Sequence, residues 1–233
     1  MLPRTPEPEV MDTVDDAVDY DQMGHSHVNQ LFVDDFLEAL REWAGGDLNS
    51  LSASLQIVDL GTGTAQIPVR LLQSWPQCRP ISACDLSVEM LRLAKRNICN
   101  SGFDRHIHPV FCDAKRLPFG DHSVDVIVSN SIVHHIPEPA AIFAEVARCL
   151  VKGGLLFFRD LLRPATQNHV EELVMLYAAN EAPHAQTMFR ESLHAALTID
   201  EVKQLLADAG LHGAKVHQTS DRHWTAIVGK ASA

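Results

Sequence analysis

Apolar positions fall into two repeating patterns along this chain. From Val28, Leu31, Phe32, Phe36, Leu37 and Leu40 recur at helical intervals, and Trp43 extends the face before Gly45-Gly46 stops it. Short apolar runs follow, each ending in polar residues: Leu55 to Leu60, Ile81 to Cys84, His108 to Cys112, Val124 to Val128, and Leu155 to Phe158. Helical spacing returns between several of them, over Ala65 to about Trp75, from Ser87 to Ser101-Gly102, and over Ala140 to Leu150. Alternation of this kind predicts a mostly parallel sheet with helices on both faces.

Past Pro164 the alternation lapses. Residues 167–180 read as helical, 181–198 as a second short helix or a lid, and Ile199 to Ala209 as a helix stopped by Gly210. Ala214–Val216 and Trp224–Val228 predict an antiparallel hairpin around Asp221-Arg222 at the sheet edge. The expected fold is therefore a doubly wound, mostly parallel α/β sheet of seven strands, with a helical insertion at about 161–198 before the edge hairpin. A flexible acidic arm, residues 1–19, precedes a single domain over 20–233.

Charge sharpens that division. Residues 1–60 hold 13 of the 30 acids but only Arg4 and Arg41 as bases, so the whole net charge of -11 belongs to the N-terminal part. No Lys/Arg-rich stripe stands out, which argues against a nucleic-acid partner. No apolar run approaches membrane-span length, and the N-terminus lacks the basic start and apolar core of a secretory signal. The expected location is cytoplasmic. Cys78, Cys84, Cys99, Cys112 and Cys149 are scattered, without metal-ligand spacing or the density of a disulfide framework. We read them as reduced and mainly structural.

The chemistry concentrates where strands end. Asp59-Leu60-Gly61-Thr62-Gly63 closes the first strand, and its glycines can adopt positive φ or admit a ligand close to the backbone. Asp85, Asp113 and Ser129-Asn130 close the next three. In open parallel sheets ligands bind beyond the carboxyl ends of the strands. Asp85 suits a ribose, as in a dinucleotide site, but the third glycine of that fingerprint is replaced by Gln66 and no P-loop lysine follows. A nucleoside without pyrophosphate fits better.

The ordered series Val58–Thr64, Cys84–Ser87, Phe111–Ala114 with Leu117-Pro118-Phe119, Asp125–Asn130 and Leu150–Gly154 resembles the class I S-adenosylmethionine-dependent methyltransferases. It is most similar to the small-molecule ubiquinone/menaquinone-methyltransferase type, firmly over about 55–160 and loosely outside. The resemblance implies S-adenosyl-L-methionine as cofactor. Gly61, Thr62 and Gly63 would lie against its methionine and ribose, with Asp59 holding the loop or a water near the amino group. Asp85 would bind the ribose hydroxyls, Leu86 would flank the adenine, and Asp113 with Ala114 would meet the adenine edge. Asn130 and Ser131 would line the channel to the methyl donor, with Tyr20 and His27 closing over it.

The acceptor is a small molecule on this reading, because Asn130-Ser131-Ile132-Val133-His134-His135 stands where amino-methylating DNA and protein enzymes carry a Pro-Pro-Tyr-like group. His134 or His135 can take the acceptor's proton, since imidazole titrates near neutrality. Arg159, Tyr177 and Arg190 are candidate acceptor-binding residues. No His-Glu-X-X-His or close His/Cys cluster is present, so no metal is expected. A non-methylating enzyme on the same cofactor fold and a catalytically silent binding or regulatory protein are the alternatives.

Overall fold

The computed structural model describes residues 2–7, 13–22, 26–48, 51, 55–78 and 80–229. Residues 8–12 of the acidic arm, and Met23, Gly24 and His25 of the stretch that follows it, lie outside the described residues. Seven strands form one sheet in the order β3-β2-β1-β4-β5-β7-β6. They are β1 (Ile57–Leu60), β2 (Ile81–Asp85), β3 (Ile107–Phe111), β4 (Val124–Asn130), β5 (Leu150–Leu161), β6 (Lys215–Gln218) and β7 (His223–Val228). Strands β1 to β5 are parallel, while β7 pairs antiparallel with both β5 and β6.

The expected helices are α2 (Ser26–Ala44), α3 (Gln66–Ser74), α4 (Val88–Asn100), α5 (Ala140–Cys149), α6 (Gln167–Tyr177) and α8 (Ile199–Asp208). The irregular stretch resolves into a full helix, α7 (Pro183–Ala195), which opens with proline in its first turn. Helix α1 (Val14–Gln22) spans the end of the acidic arm and packs Ala17 and Tyr20 with Met90 and Leu93 of α4. None of the described helices is long and apolar enough to cross a membrane.

Both faces of the sheet are buried. On one, Phe32 and Phe36 of α2 meet Phe157 edge-on at 5.4 and 5.5 Å between centroids. On the other, Phe143, Val146, Val202 and Leu206 cover Ile127, Leu156 and Trp224. A third cluster joins α6 and α7 through Val170, Leu173 and Leu193, and Leu2 packs against it.

Strand β5 is much longer than the run Leu155 to Phe158. Gly153-Gly154 reads by sequence as a turn leading into that run, but Gly154 lies inside the strand, where a Cβ would approach the Asp125 carbonyl to 2.8 Å. Glycine there serves close backbone approach beside the register shift between Val124 and Val126.

This topology positions the site. Strand order reverses between the neighbours β1 and β4, and Leu60 lies level with both Cys84 and Ser129. Ser129 Oγ donates to the Leu60 carbonyl at 2.7 Å, tying the two central strand ends together.

Candidate active site

At those strand ends lies a cavity lined by Gly61, Gly63, Asp85, Leu86, Asp113, Ala114, Asn130, Ser131 and His135, with Tyr20 over it. Ten predicted residues from five separate segments thus meet on one cavity. Gly61 and Gly63 have φ of 68° and 54°, so the turn uses the left-handed region that glycine tolerates best. A Cβ on Gly61 would strike Ile132 at 2.8 Å, whereas one on Gly63 would press Tyr20 at 3.3 Å. Both glycines thus keep the turn against residues that line the cavity, Gly61 against Ile132 and Gly63 against Tyr20.

Asp85 organises the turn. Its Oδ2 accepts from the Gly63 amide at 2.8 Å and its Oδ1 from the Ser87 amide at 2.9 Å. Burial raises its pKa, and these backbone donors offset part of the rise. Asp59 lies beneath the turn, 2% exposed, and burial followed by the charge of Asp85 pushes it up to about 7, against a lowering by Thr62. Among the described residues the buried Asp59 Oδ2 and Thr62 Oγ1 make no well-formed hydrogen bond, although the Thr62 hydroxyl lies near enough to lower the Asp59 pKa. Tyr20 is pushed up to about 12, first by burial and then by Asp85, Asp59 and Asp21. Asp113 stays below the usual carboxylate range because the Lys115 amide and ammonium, at 2.8 and 2.9 Å, outweigh its desolvation.

The histidine pair divides its roles. His135 lines the cavity, while His134 is 4% exposed behind it. Asp160, at the end of β5, is 2.5 Å from His134 Nδ1 and accepts from the Val133 and His134 amides. Burial alone would lower the His134 pKa, but Asp160 outweighs it and raises it; His135 is lowered by burial and by the charge of His134.

The remaining predicted residues lie elsewhere. His27 is exposed on α2. Arg159 is buried, donates to Asp35 at 2.6 Å and Thr225 at 2.9 Å, and lies over the rings of Phe32 and Phe157. Arg190 grips both oxygens of Glu171 at 2.9 Å, joining α7 to α6. Tyr177 donates to Asp221 at 2.5 Å with the Arg222 guanidinium 3.4 Å above its ring. None of these four lines the cavity.

Sequence reasoning missed several lining residues: Cys84, Ser87, Met90, Cys112, Ile132 and Ile136. Cys84 in β2 and Cys112 just past β3 influence each other, which raises the first thiol and lowers the second. The adjacency of both cysteines to the strand-end acids was a usable signal. Glu7 was missed as well, and nothing local marks it. Its carboxylate is 2.8 Å from His135 Nδ1 and 3.5 Å from His134 Nε2, and accepts from Ser192 at 3.0 Å. Burial would raise the Glu7 pKa, but His135, His134 and Ser192 outweigh it and hold it below the usual range. Arg4 anchors this segment, donating to the carbonyls of Ala195 (2.6 Å), Ile136 (2.7 Å), Pro137 (2.9 Å) and His134 (3.1 Å).

Comparison with known proteins agrees with this geometry. Residues 58–158 match a family described as "Methyltransferase domain". A malonyl-[acyl-carrier protein] O-methyltransferase of Hahella chejuensis is 30% identical over 200 residues, covering 84% of this chain and 66% of that protein. A ubiquinone/menaquinone biosynthesis C-methyltransferase of Desulfotalea psychrophila is 30% identical over 122 residues, 52% of this chain; the match spans about half of that relative, 47% of its length. The crystal structure of a SAM-dependent methyltransferase from Aquifex aeolicus superimposes with a TM-score of 0.63 at 17% identity, covering 93% of this chain and 97% of that one, and so shares the fold. With the seven-stranded sheet, the glycine turn and the strand-end acids in place, the chain belongs to the class I S-adenosylmethionine-dependent methyltransferases of Rossmann-like fold.

Proposed function

We propose that the chain transfers the methyl group of S-adenosyl-L-methionine to a small-molecule acceptor bound beside His135. The observation that carries this reading is the convergence of four polar strand ends on one cavity whose wall continues into the histidine pair. The site fits the cofactor. Asp59 Oδ2 and Thr62 Oγ1 offer buried oxygens without a well-formed hydrogen bond among the described residues, suited to an ammonium group or a bridging water. Asp85 keeps acceptor capacity for ribose hydroxyls beyond its two backbone bonds. When bound, the cofactor supplies an electrophilic methyl group on a sulfonium, displaced in line by the acceptor.

The chain's own contribution is alignment and charge management. Asn130, Ser131 and Ile132 wall the passage from the cofactor end toward His135. His135 meets the acceptor and is the candidate recipient of its proton, and Asp160 fixes His134 behind it. One relative is named a C-methyltransferase of ubiquinone/menaquinone biosynthesis and another an O-methyltransferase, so carbon and oxygen acceptors both stay open, and the ubiquinone/menaquinone type is our placement from the order of the strand-end motifs. Five free thiols accord with a reducing cytoplasm, where we place the reaction.

Calorimetry with S-adenosylmethionine, S-adenosylhomocysteine and NAD tests the cofactor. Binding of the first two and not the third is expected; tight NAD binding alone would refute the reading. A metabolite extract incubated with methyl-labelled cofactor then tests turnover. Tight cofactor binding with no labelled product would favour the regulatory alternative, for which the arm's contact with the histidine pair is the supporting observation.

A further inference from the structure

We propose that Glu7, His134 and His135 form a divalent transition-metal site of the zinc type, facing the acceptor end of the cavity. The inference rests on the reading that the acceptor binds beside His135. One carboxylate and two imidazoles bring donor atoms within 4.8 Å of one another. Donors held 2.0–2.2 Å from zinc at tetrahedral angles lie about 3.3–3.5 Å apart. The separations from Glu7 Oε1, 3.5 Å to His134 Nε2 and 2.8 Å to His135 Nδ1, bracket that spacing, so small side-chain shifts admit an ion.

Two observations set this cluster apart from a closed ion pair. Among the described residues His135 Nδ1 is buried and makes no well-formed hydrogen bond, its close polar neighbour being the Glu7 carboxylate at 2.8 Å. An unprotonated Nδ1 facing a carboxylate oxygen at that distance sets two lone pairs against each other, which an ion between them would satisfy. The outer partners are also those of a metal centre: Asp160 holds His134 Nδ1, leaving Nε2 as the donor atom, and Ser192 holds the second Glu7 oxygen. Two neutral imidazoles and one anionic carboxylate suit zinc or ferrous iron, with open positions for a substrate.

Because His135 also lines the cavity, an open position would face the acceptor. The acceptor class this favours is one bearing a hydroxyl, enol or carboxylate oxygen. The ion would stabilise the deprotonated oxygen, whose proton leaves to solvent. The new bond is oxygen to methyl, and the breaking bond is sulfur to methyl, with its electron pair staying on sulfur as a thioether. With the ion bound, both imidazoles are ligands and the proton passes to solvent; in the metal-free chain His135 keeps the role of base. Arg4 opposes the ion by its charge but supports the site by fixing the His134 and Ile136 carbonyls and the arm that delivers Glu7.

The test uses the full chain, stripped with a chelator and titrated with Zn2+, followed by calorimetry and elemental analysis. One equivalent per chain is expected, with affinity reduced at least tenfold by Glu7→Gln and by His135→Gln. Thirteen histidines make adventitious uptake the chief alternative. No saturable uptake, or uptake indifferent to both substitutions, overturns the site. Co2+ bound to the unmutated chain gives a second readout: visible bands of a four- or five-coordinate centre support the site, and a six-coordinate aqueous spectrum refutes it. S-adenosylmethionine titrations on the stripped chain keep the two readings separate, since cofactor binding without metal uptake sinks only the metal site.

Discussion

Asp59 shows how one residue ties stability to ligand binding. Its folded pKa of about 7 lies above the ordinary value of 3.8, so the folded state holds a proton that the unfolded chain releases. Stability from this group is fully present below pH 3.8 and is lost as pH rises through about 7. Between pH 5 and 8 the loss is about 3 kcal/mol, at about 1.4 kcal/mol per pKa unit. Urea unfolding of the ligand-free Asp59→Asn protein should therefore show a pH dependence shallower than wild type by about that amount, while S-adenosylmethionine affinity falls. Parallel curves for the two proteins would show that Asp59 is ionised in the fold. Gly61→Ala makes a contrasting prediction. Its Cβ meets Ile132 at 2.8 Å with φ at 68°, so a loss of about 1–3 kcal/mol in stability should accompany weaker cofactor binding. At this scale the glycines and acids were legible because each motif is a contiguous strand end. The split between His134 and His135 was not, since it depends on Asp160, 26 residues away.

At the scale of elements, periodicity located the parallel strands and most helices because a half-buried helix must repeat its apolar positions. It failed where burial was not set by one face. In α7 Leu193 and Ala195 are the buried residues, too few to print a pattern on thirteen residues. In β5 two glycines imitated a turn, whereas Gly154 answers a neighbouring strand's backbone. Arg159 illustrates the same limit for function. A cationic residue at a strand end suggested substrate binding, yet it fastens α2 to β5 through Asp35 and two aromatic rings. Asp35 is half exposed and can hydrate when freed, so Arg159→Met should cost no more than about 1–2 kcal/mol, less than breaking a fully buried pair. Its KM for the acceptor, once that is identified, should stay within twofold of wild type. A large rise in KM with unchanged stability would restore Arg159 to the acceptor site.

Across the whole molecule, the sequence divided the chain into an acidic arm and a domain, and this boundary hides the longest connection. Arg4 and Glu7 lie about 130 residues or more from the carbonyls and imidazoles they meet, and no local spacing encodes such a contact. Within an acid-rich segment Arg4 read as an isolated charge, although its fork of donors satisfies four carbonyls at once. The contacts predict that the arm segment and the histidine turn open together. Arg4→Ala removes the anchor without touching the cavity, leaving the Thr5 amide bond to His194 and the Glu7 bonds to hold residues 2–7. Hydrogen exchange should then accelerate at Thr5 and at residues 133–136, while β1 and β4 keep their protection, because a segment opens locally once its own tethers are cut, whatever the global stability. S-adenosylmethionine affinity should change less than twofold, as Arg4 is not among the residues that line the cavity. Zinc uptake in the same variant should weaken, since Glu7 would be delivered by a looser segment. Unchanged exchange at the histidine turn would mean that Asp160 alone holds it, and would assign the arm a separate role.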